Sequence, residues 1–258
     1  MLIYTSSGLR IAEVWFNESP AGIKADIIRY RHVPESIPGA VCTPRWTLLI
    51  DLGKSEDELW SKLNRNTRQD IKRARSSHGV ICRSWDHKDF GVLDRFCSFY
   101  NNFARMKGVG EASPEELIRY AQASSLDISW AETPHHGPLV YHSHIIMAGR
   151  ARAWHSGSLF RSSPDSEFRN MIGGANRTLH WTDMLRFRSE GVHTYDFGGW
   201  YTGTDDKERM RINIFKEGFG GTPSQGWNGE QLVTLRARLA VPVVRRMRTF
   251  LGSMPAAQ

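Results

Sequence analysis

Cysteine is scarce in this chain of 258 residues, and long apolar runs are missing from it. The three cysteines, Cys42, Cys82 and Cys97, are odd in number and form no CxxC pair, which predicts free thiols in a reducing compartment. No apolar stretch approaches the roughly 20 residues that a membrane-spanning helix needs. The first residues also lack a long apolar run followed by a cleavage site. We therefore expect a cytoplasmic protein with neither a signal peptide nor a membrane span.

Acidic residues are outnumbered by basic ones. The chain has 27 Asp and Glu against 34 Lys and Arg, a formal net charge of +7. This excess favours an anionic partner such as nucleic acid, a nucleotide cofactor or a membrane surface. The nine tryptophans are many for this length, and tryptophan both stacks on bases and fills cores. Otherwise the composition, 40% hydrophobic and 24% charged, is typical of a soluble globular protein with one large domain or two small ones.

Short apolar runs alternate with helical patterns in the first half of the chain. The runs predict four strands, at residues 11–16, 25–30, 46–52 and 80–85. The prolines between Val33 and Trp46 predict a surface loop there. An aromatic stripe at helical spacing predicts a helix over residues 89–106, and a Ser-Pro start predicts another over residues 113–124.

A strongly basic helix is predicted among these elements. Ser55 and Glu58 form a capping box that starts it, and His78 and Gly79 end it. One face carries the apolar stripe of Trp60, Leu63, Thr67, Ile71 and Ala74. The other face carries six cations against the one acid Asp70: Lys62, Arg65, Arg68, Lys72, Arg73 and Arg75. A solvated face normally mixes both signs of charge, so an anion-binding surface and a merely solvated face both stay open.

Three strands of an antiparallel meander are predicted between residues 126 and 160. His142 and His144 are two residues apart and therefore share one face of the second strand, while His155 lies on the third. Three histidines suggest a metal, but with no cysteine or placed carboxylate beside them we predict none. We expect histidines that line a cleft instead, one of them as a general base.

A glycine-containing loop then leads into a predicted helix over residues 174–189. Strand, glycine loop and helix N-terminus in this order are typical of an anion site, because free N–H groups and the positive end of the helix dipole point at the ligand. A glycine turn before a helix need not bind anything, so a purely structural loop is the alternative. A basic helix interrupted at Pro242 is predicted over residues 230–250.

The stretch from Thr194 to Gly221 organises the rest of the chain. It begins as a short strand that ends in Asp196, Phe197 and two glycines, and a basic segment leads on to Lys216. Glycines at a strand end permit a close backbone approach to a ligand. An acid at such a strand end, followed by this lysine, predicts a cleft that handles charge. A structural turn is the alternative.

Three motifs in this order resemble those of the FemABX family. They are Arg68-x-x-Ile71-x-x-Ala74, Tyr195-Asp196-Phe197-Gly198-Gly199 and Phe215-Lys216-x-x-Phe219-Gly220-Gly221. The resemblance implies an α/β fold of the GNAT type, in which a mixed, largely antiparallel sheet flanked by helices splays to hold an acyl donor. It implies this core for residues 126–228, after a shorter α/β portion over residues 1–125 that suits a truncated second GNAT-like half, and before a basic tail over residues 229–258.

The resemblance also implies a reaction. FemABX enzymes take an aminoacyl group from aminoacyl-tRNA, whereas GNAT acetyltransferases hold the coenzyme A pyrophosphate with Q/R-x-x-G-x-G/A at a helix start. The nearest match to that motif here is Asn170-x-x-Gly173-x-Ala175, with Arg169 one place off. We expect an N-acyltransferase that moves an aminoacyl group from tRNA to an amine, such as a peptidoglycan precursor or a natural-product intermediate, without a resident cofactor. An acyl-CoA-dependent N-acyltransferase and a non-catalytic nucleic-acid-binding protein are the alternatives.

Site residues follow from these hypotheses. Lys216 matches the family lysine that serves the transition state or a substrate phosphate. Asp196 is the candidate for orienting or deprotonating the amine, with His144 and His155 as alternatives. The candidate donor or phosphate ligands are Arg169, Asn170, Gly173, Gly174, Asn176 and Arg211. The six cations of the basic helix are the candidate tRNA contacts.

Overall fold

The computed structural model describes residues 1–161 and 165–241. The strands are β1 (Leu2–Ser6), β2 (Leu9–Trp15), β3 (Ile27–Val33), β4 (Val41–Asp51), β5 (Ile81–Ser84), β6 (Leu126–Thr133), β7 (Gly137–Met147), β8 (Arg150–Ser158), β9 (Thr194–Gly199) and β10 (Thr222–Leu232). The helices that lie wholly within these ranges are α1 (Glu56–Lys62), α2 (Arg65–Ser76), α3 (Gly91–Lys107), α4 (Pro114–Gln122), α5 (Ser166–Ser189) and α6 (Lys207–Glu217).

The chain divides into two compact units. The first combines residues 1–45 with the described residues from 225 onward, and the second is Trp46–Ser224. These limits differ from the boundaries at residues 125 and 228 expected from the sequence. The reason is that α1, α2 and β5 pack with later elements. Ala74 of α2 and Val80, for example, share one buried cluster with Ile172 and Leu179 of α5.

The first unit is built on short strands. β1 and β2 form an antiparallel pair, β2 runs parallel to β3, and β3 pairs antiparallel with the later part of β10. Val14 of β2 and Ile28 of β3 are buried in one cluster. The loop expected between Val33 and Trp46 is shorter than predicted, because β4 already begins at Val41. Proline has a fixed φ that an extended backbone also adopts, so Pro44 does not prevent the strand.

The second unit contains a mixed sheet in the order β4-β9-β8-β7-β6-β5. Neighbouring strands are antiparallel except β8 and β9, which run parallel. The predicted meander is confirmed as β6, β7 and β8. On one face, Ile172 and Leu179 of α5 pack against Ala131 and Val140 of the meander. The predicted fold class, a mixed and largely antiparallel α/β sheet flanked by helices, is confirmed.

The basic helix predicted over residues 55–78 is two helices. Ser55 caps α1 with the expected capping box, but α1 ends at Lys62. Asn64 then caps α2, with its side-chain oxygen accepting the Thr67 N–H at 2.7 Å. The predicted apolar stripe survives the break, because its four later members are buried: Leu63, Thr67, Ile71 and Ala74.

α5 begins well before the predicted start at Gly174. Asp165 caps it by accepting the N–H groups of Glu167 and Phe168, so the glycine pair lies in the helix interior. Gly174 is the point where α5 approaches α2, since a Cβ there would stand 3.2 Å from the Ala74 Cβ. α5 has 24 residues, yet none of the described helices, α5 included, is long and apolar enough to cross a membrane.

The basic helix predicted over residues 230–250 starts later than expected. β10 continues to Leu232, and the chain is helical from residue 235 to residue 241. The Thr234 hydroxyl accepts the Ala237 N–H at 3.2 Å at the start of this helix. The remaining predicted part, with Pro242 and the arginines after it, lies outside the described residues.

Candidate active site

A cavity of about 620 Å³ opens in the second unit where two parallel strands separate. β8 and β9 pair from Arg150 with Thr194 to Arg152 with Asp196, and within the described ranges their pairing stops there. Residues 153–156 of β8 line one side of the cavity, and residues 197–199 of β9 line another. Residues of α3, α5 and α6, with Phe160 and Arg161, form the rest of the wall. The sheet therefore splays, as the resemblance to the FemABX family implied.

Gly198 lies at the point of separation. Its φ is +73°, and a Cβ there would stand 3.0 Å from the carbonyl oxygen of Ala153, so no other residue fits without strain. The Gly198 N–H donates to Asp196 Oδ1 at 2.7 Å. Its carbonyl oxygen lies 2.9 Å from the Thr47 hydroxyl, which shares its one proton between this oxygen and the Asp196 carboxylate. These two bonds fix the turn that carries the chain into the cavity wall.

Asp196 is enclosed beside this turn and is fully buried. Its carboxylate accepts from Arg150 Nε at 2.9 Å and from Arg152 Nη1 at 2.8 Å, besides Thr47 and the Gly198 N–H. Burial raises the pKa of Asp196, but Arg152 and Arg150 outweigh it and hold that pKa well below its usual range. The hypothesis that Asp196 deprotonates the amine is therefore corrected. Asp196 is an ionised carboxylate outside the cavity wall, and its hydrogen bond holds Arg152 in position instead.

Lys216 reaches the same strand end from α6. Its Nζ donates to the carbonyl oxygen of Gly199, and its side chain lines the cavity. Burial, with Arg152 nearby, lowers the pKa of Lys216 to about 8, against the opposing effect of Asp196. The structure thus brings Asp196 and Lys216 to one end of β9, as expected from the sequence.

Positive charge dominates the cavity wall. Glu208 is the one carboxylate among the lining residues that the structure describes, and it pairs with Arg161. Arg177 pairs with Asp70 at 3.4 Å and lies over the ring of Phe215. The cations of the wall are Lys107, Arg152, Arg161, Arg177, Arg211 and Lys216. A concave surface of one sign attracts ligands of the opposite sign, so the cavity suits an anion.

His180 lines the cavity and was not identified from the sequence. It projects from α5, is 3% exposed and contacts the rings of Phe197, Phe215 and Phe219. Burial lowers the pKa of His180 well below its usual value, so the imidazole is neutral at pH 7. Its Nδ1 bonds the Tyr195 hydroxyl at 2.7 Å. A histidine at helical spacing among apolar residues has the pattern of a core residue, which carries no functional signal.

His144 lies in a buried polar cluster and not in the cavity wall. His142 and His144 share one face of β7, as predicted, and both are fully buried. His144 Nε2 bonds the Tyr195 hydroxyl at 3.0 Å. The hypothesis that His144 meets the amine directly is corrected, because its ring acts on the cavity only through Tyr195.

One group of described residues has ligand atoms close enough to hold a metal ion. It consists of His142, His144 and Asp183, whose ligand atoms lie within 4.8 Å of one another. The sequence did not place Asp183 beside these histidines, because it comes from α5. His142 already bonds Asp183 at 3.0 Å and Asn176 at 2.9 Å, and His144 bonds Tyr195. The arrangement is that of a hydrogen-bonded polar core, and we assign no metal to it.

His155 reaches the cavity separately from the other two predicted histidines. Its Nδ1 bonds the Ser143 hydroxyl at 2.8 Å, and its ring contacts Tyr100 and Trp154. Ser143 alternates with His142 and His144 along β7, so its side chain points to the opposite face. Burial lowers the pKa of His155 to about 4, and the ring is neutral at pH 7.

The predicted anion site at a helix start near Gly174 is not formed. Because α5 begins at Ser166, the amides of residues 172–176 lie inside the helix and offer no free N–H groups. Of the predicted donor ligands, Gly173, Asn176 and Arg211 line the cavity through side chains or backbone. The cavity lining that the structure describes does not include the other three: Arg169, Asn170 and Gly174.

The basic face of α1 and α2 is exposed as predicted, with one exception. Arg68 is half-buried and donates to the carbonyl oxygen of Ser61 at 3.2 Å, so it ties α2 to α1. Its predicted role as a tRNA contact stays a prediction. The exposed cations are Lys62, Arg65, Lys72, Arg73 and Arg75.

Several solved structures resemble this fold. FemX has a TM-score of 0.60 and 14% identity over 81% of this chain and 73% of its own. The C-terminal domain of a putative lysylphosphatidylglycerol synthetase from Agrobacterium fabrum has a TM-score of 0.52 and 11% identity over 84% of this chain and 71% of its own. L-PGS from Bacillus licheniformis has a TM-score of 0.52 and 10% identity over 85% and 72%. At such identities the likeness shows the fold alone.

No family model matches the sequence, and no curated protein matches it. The FemABX-like fold implied by the three motifs is nevertheless confirmed, because FemX is among the solved structures that share this fold, with a TM-score of 0.60.

Proposed function

We propose that this protein is an N-acyltransferase that moves an aminoacyl group from aminoacyl-tRNA to an amine and forms an amide bond. The observation that carries the proposal is the cationic cavity at the split between β8 and β9, with Lys216 held against Gly199 in its wall. The shared fold of FemX and of lysylphosphatidylglycerol synthetase supports it. The name of the second protein describes the joining of a lysyl group to phosphatidylglycerol.

The chemistry requires charge stabilisation. The amine nitrogen bonds to the ester carbonyl carbon, an oxyanion develops, and the tRNA hydroxyl leaves. Lys216 and Arg152 both line the cavity, and Asp196 holds Arg152 in place. With a pKa of about 8, Lys216 is mostly protonated at pH 7. A cation preorganised in a partly buried site stabilises an oxyanion more than water does.

The size of the cavity limits what enters it. A volume of about 620 Å³ is that of a pocket for a drug-sized ligand, which admits the aminoacylated terminal nucleoside but not the body of a tRNA. The body would lie on the surface, where α1 and α2 expose five cations. Asp70 of α2 pairs with Arg177 of the cavity wall, so the basic face and the cavity adjoin.

An acyl-CoA-dependent reaction is the second candidate, because the same cations suit the phosphates of coenzyme A. The interior position of Gly173 and Gly174 in α5 counts against it, since no free backbone N–H groups cradle a pyrophosphate there. A non-catalytic nucleic-acid-binding protein is the third. Such a protein has no use for a half-buried lysine with a lowered pKa in a cavity wall.

The test is to incubate the protein with total tRNA charged with radiolabelled amino acids and a mixture of small amines and peptides. The expected result is that label leaves the acid-precipitable tRNA faster than in a protein-free control and appears in an amide. Treating the tRNA with RNase beforehand should abolish the transfer. Parallel incubations with labelled acyl-CoA test the second candidate. If label leaves every charged tRNA at the same rate with and without the protein, the proposal is overturned.

A further inference from the structure

We propose that His180 is the catalytic base of this cavity and that Tyr195, His144 and Asp127 form a buried relay that holds it in the required tautomer. The chemistry of this inference rests on the proposed transfer reaction. The tautomer it requires is a property of the free protein and is measurable without any substrate.

The relay is a line of buried polar groups that is hydrogen-bonded from His180 to His144 and separated from Asp127 by 3.7 Å. His180 Nδ1 lies 2.7 Å from the Tyr195 hydroxyl, and that hydroxyl lies 3.0 Å from His144 Nε2. On the far side of the His144 ring, Nδ1 faces Asp127 Oδ2 at 3.7 Å. All four residues are at most 3% exposed. A line of this kind connects the cavity wall to a carboxylate on the neighbouring strand β6.

Asp127 sets the direction of the hydrogen bonds. Arg186 Nη2 donates to its carboxylate at 2.6 Å. Burial raises the pKa of Asp127, but His144 and Arg186 outweigh it and lower that pKa, so the group is an anion. The 3.7 Å separation is too long for a hydrogen bond, and His144 Nδ1 has no hydrogen-bond partner among the described residues. Asp183 Oδ2 lies 3.9 Å from the other ring nitrogen, Nε2, but Nε2 already has the Tyr195 hydroxyl as a hydrogen-bond partner. A lone pair on Nδ1 would face the Asp127 anion with no donor between them, so we place the proton on Nδ1.

The remaining tautomers follow from the proton count. A histidine that carries its one proton on Nδ1 accepts at Nε2, which for His144 means from the Tyr195 hydroxyl. A phenol has one proton, so the Tyr195 oxygen must accept from His180 Nδ1. His180 is then left with an unprotonated Nε2. That atom has no hydrogen-bond partner within the described part of the chain, and the side chain lines the cavity. The result is a neutral imidazole with a free lone pair at the reaction site.

The groups around His180 keep it neutral. The His142 ring of β7 lies against it at a tilt of 33°, with centroids 4.0 Å apart, and His144 lies on the same strand. Lys216 approaches from α6 and Arg177 from α5 itself, and both cations oppose protonation. The contacts from β9 and from the region of α6 are aromatic, through Phe197, Phe215 and Phe219. The imidazole is therefore unprotonated, and able to accept a proton, at pH 7.

The proposed step balances without a further reactant. The amine nitrogen bonds to the carbonyl carbon, and the resulting ammonium gives one proton to His180 Nε2. The same proton then passes to the ribose oxygen as the carbon–oxygen bond breaks, which restores the neutral base. Tyr195 and His144 touch no substrate and are positioning residues. They hold His180 in one tautomer and connect the transient imidazolium to the negative charge of Asp127, as the aspartate does in a Ser-His-Asp triad.

The first test is nuclear magnetic resonance of the histidine side-chain nitrogens in the ¹⁵N-labelled protein near pH 7, with His180→Gln used to assign the signals. The expected result is a neutral His180 with its proton on Nδ1, and the same tautomer for His144. A His180 ring that carries its proton on Nε2, or a charged one, would overturn the proposal whether or not the protein transfers aminoacyl groups.

The second test uses the aminoacyl-transfer assay with three variants. His180→Ala should lose about 10²–10⁴-fold in kcat, the usual range for a general base, and added imidazole should restore part of it. Tyr195→Phe should lower kcat with little change in KM and should not respond to imidazole. His135→Ala, an exposed loop histidine, is the matched control and should behave as wild type. If wild type is active and His180→Ala is equally active, His180 is not the catalytic base. If wild type itself is inactive, the result counts against the proposed function instead.

Discussion

Lys216 of α6 donates a hydrogen bond to the carbonyl oxygen of Gly199, at the end of the strand that has just separated from β8. The two residues belong to two different sequence motifs, and the contact shows why these motifs occur together. The glycine turn opens the sheet, and the lysine places a positive charge beside the opening. Burial in the same wall lowers the pKa of Lys216 to about 8, so its charge is sensitive to pH just above neutrality.

The rate of transfer should therefore fall as the pH rises above about 8. The protonated form of Lys216 is the one that stabilises an oxyanion, and its pKa of about 8 sets the midpoint of the fall. Lys216→Arg keeps its charge up to a pH of about 12, so this variant should lose the falling limb even if its kcat is lower. The measurement is kcat against pH for both proteins. If kcat of Lys216→Arg still falls above pH 8, the fall belongs to the titration of another group, and the role of Lys216 is contradicted.

Replacing Asp196 should destabilise the fold. Asp196→Asn leaves Arg150 and Arg152 without their buried anion, which typically costs about 3–5 kcal/mol in the free energy of unfolding. The folded-state pKa of Asp196 lies below its unfolded value of about 3.9. Its contribution is thus present at neutral pH and is lost as the pH falls below about 4. Urea unfolding at neutral and acidic pH measures both effects.

Asp94 offers a matched control for this substitution, because it is exposed on α3. Asp94→Asn should leave the urea midpoint nearly unchanged. Equal stability of Asp196→Asn and Asp94→Asn at neutral pH would show that the ion cluster does not hold the strand end together.

Two neighbouring glycines of α5 should respond oppositely to substitution. A Cβ at Gly174 would meet Ala74 Cβ at 3.2 Å and the Asp70 carbonyl oxygen at 3.3 Å, so Gly174→Val should force α5 away from α2 and destabilise the protein by about 1–3 kcal/mol. A Cβ at Gly173 meets Arg177 at an ordinary 3.6 Å. Gly173→Ala should gain up to about 1 kcal/mol from helix propensity. Thermal unfolding of both variants measures these changes in stability. A Gly174→Val variant as stable as wild type would refute the close contact between α5 and α2.

The exposed basic face should contribute to tRNA binding through charge alone. Lys72→Glu combined with Arg73→Glu should weaken the binding of unacylated tRNA and reduce the dependence of log Kd on log salt, because fewer phosphate contacts release fewer counterions. Lys88→Glu, on an exposed loop of the same unit, is the control and should bind as wild type does. Filter binding at several salt concentrations measures this. Identical salt slopes for the double variant and the control would remove α2 from the tRNA surface.

Hydrophobic periodicity and turn chemistry predicted most of the second unit. The meander of β6, β7 and β8 and the strand that ends at Gly199 were found because alternation and glycine punctuation are local signals. The break between α1 and α2 was missed, since Asn64 followed by Thr67 lies inside an uninterrupted helical pattern. The start of α5 was missed because Gly173 and Gly174 were interpreted as a loop, whereas α2 requires them as small residues.

The site was only partly readable from the sequence. Lys216 was found through the motif resemblance, and its burial and pKa come from tertiary contacts that no pattern encodes. His180 was missed because a histidine on an apolar helix face normally belongs to the core. Asp196 was given a role in proton transfer because the two arginines that hold it lie more than forty residues earlier in the chain, on β8.

The most direct test of the account compares Lys216→Ala with Lys107→Ala in transfer of labelled amino acids from charged tRNA, with tRNA binding measured alongside. Both lysines line the cavity, but Lys216 is the one held at the strand end. We expect both variants to bind tRNA nearly as wild type does. Lys216→Ala should lose about 10²–10³-fold in kcat, the usual effect of removing an oxyanion stabiliser, and Lys107→Ala should lose much less. Wild-type transfer by Lys216→Ala would contradict the account.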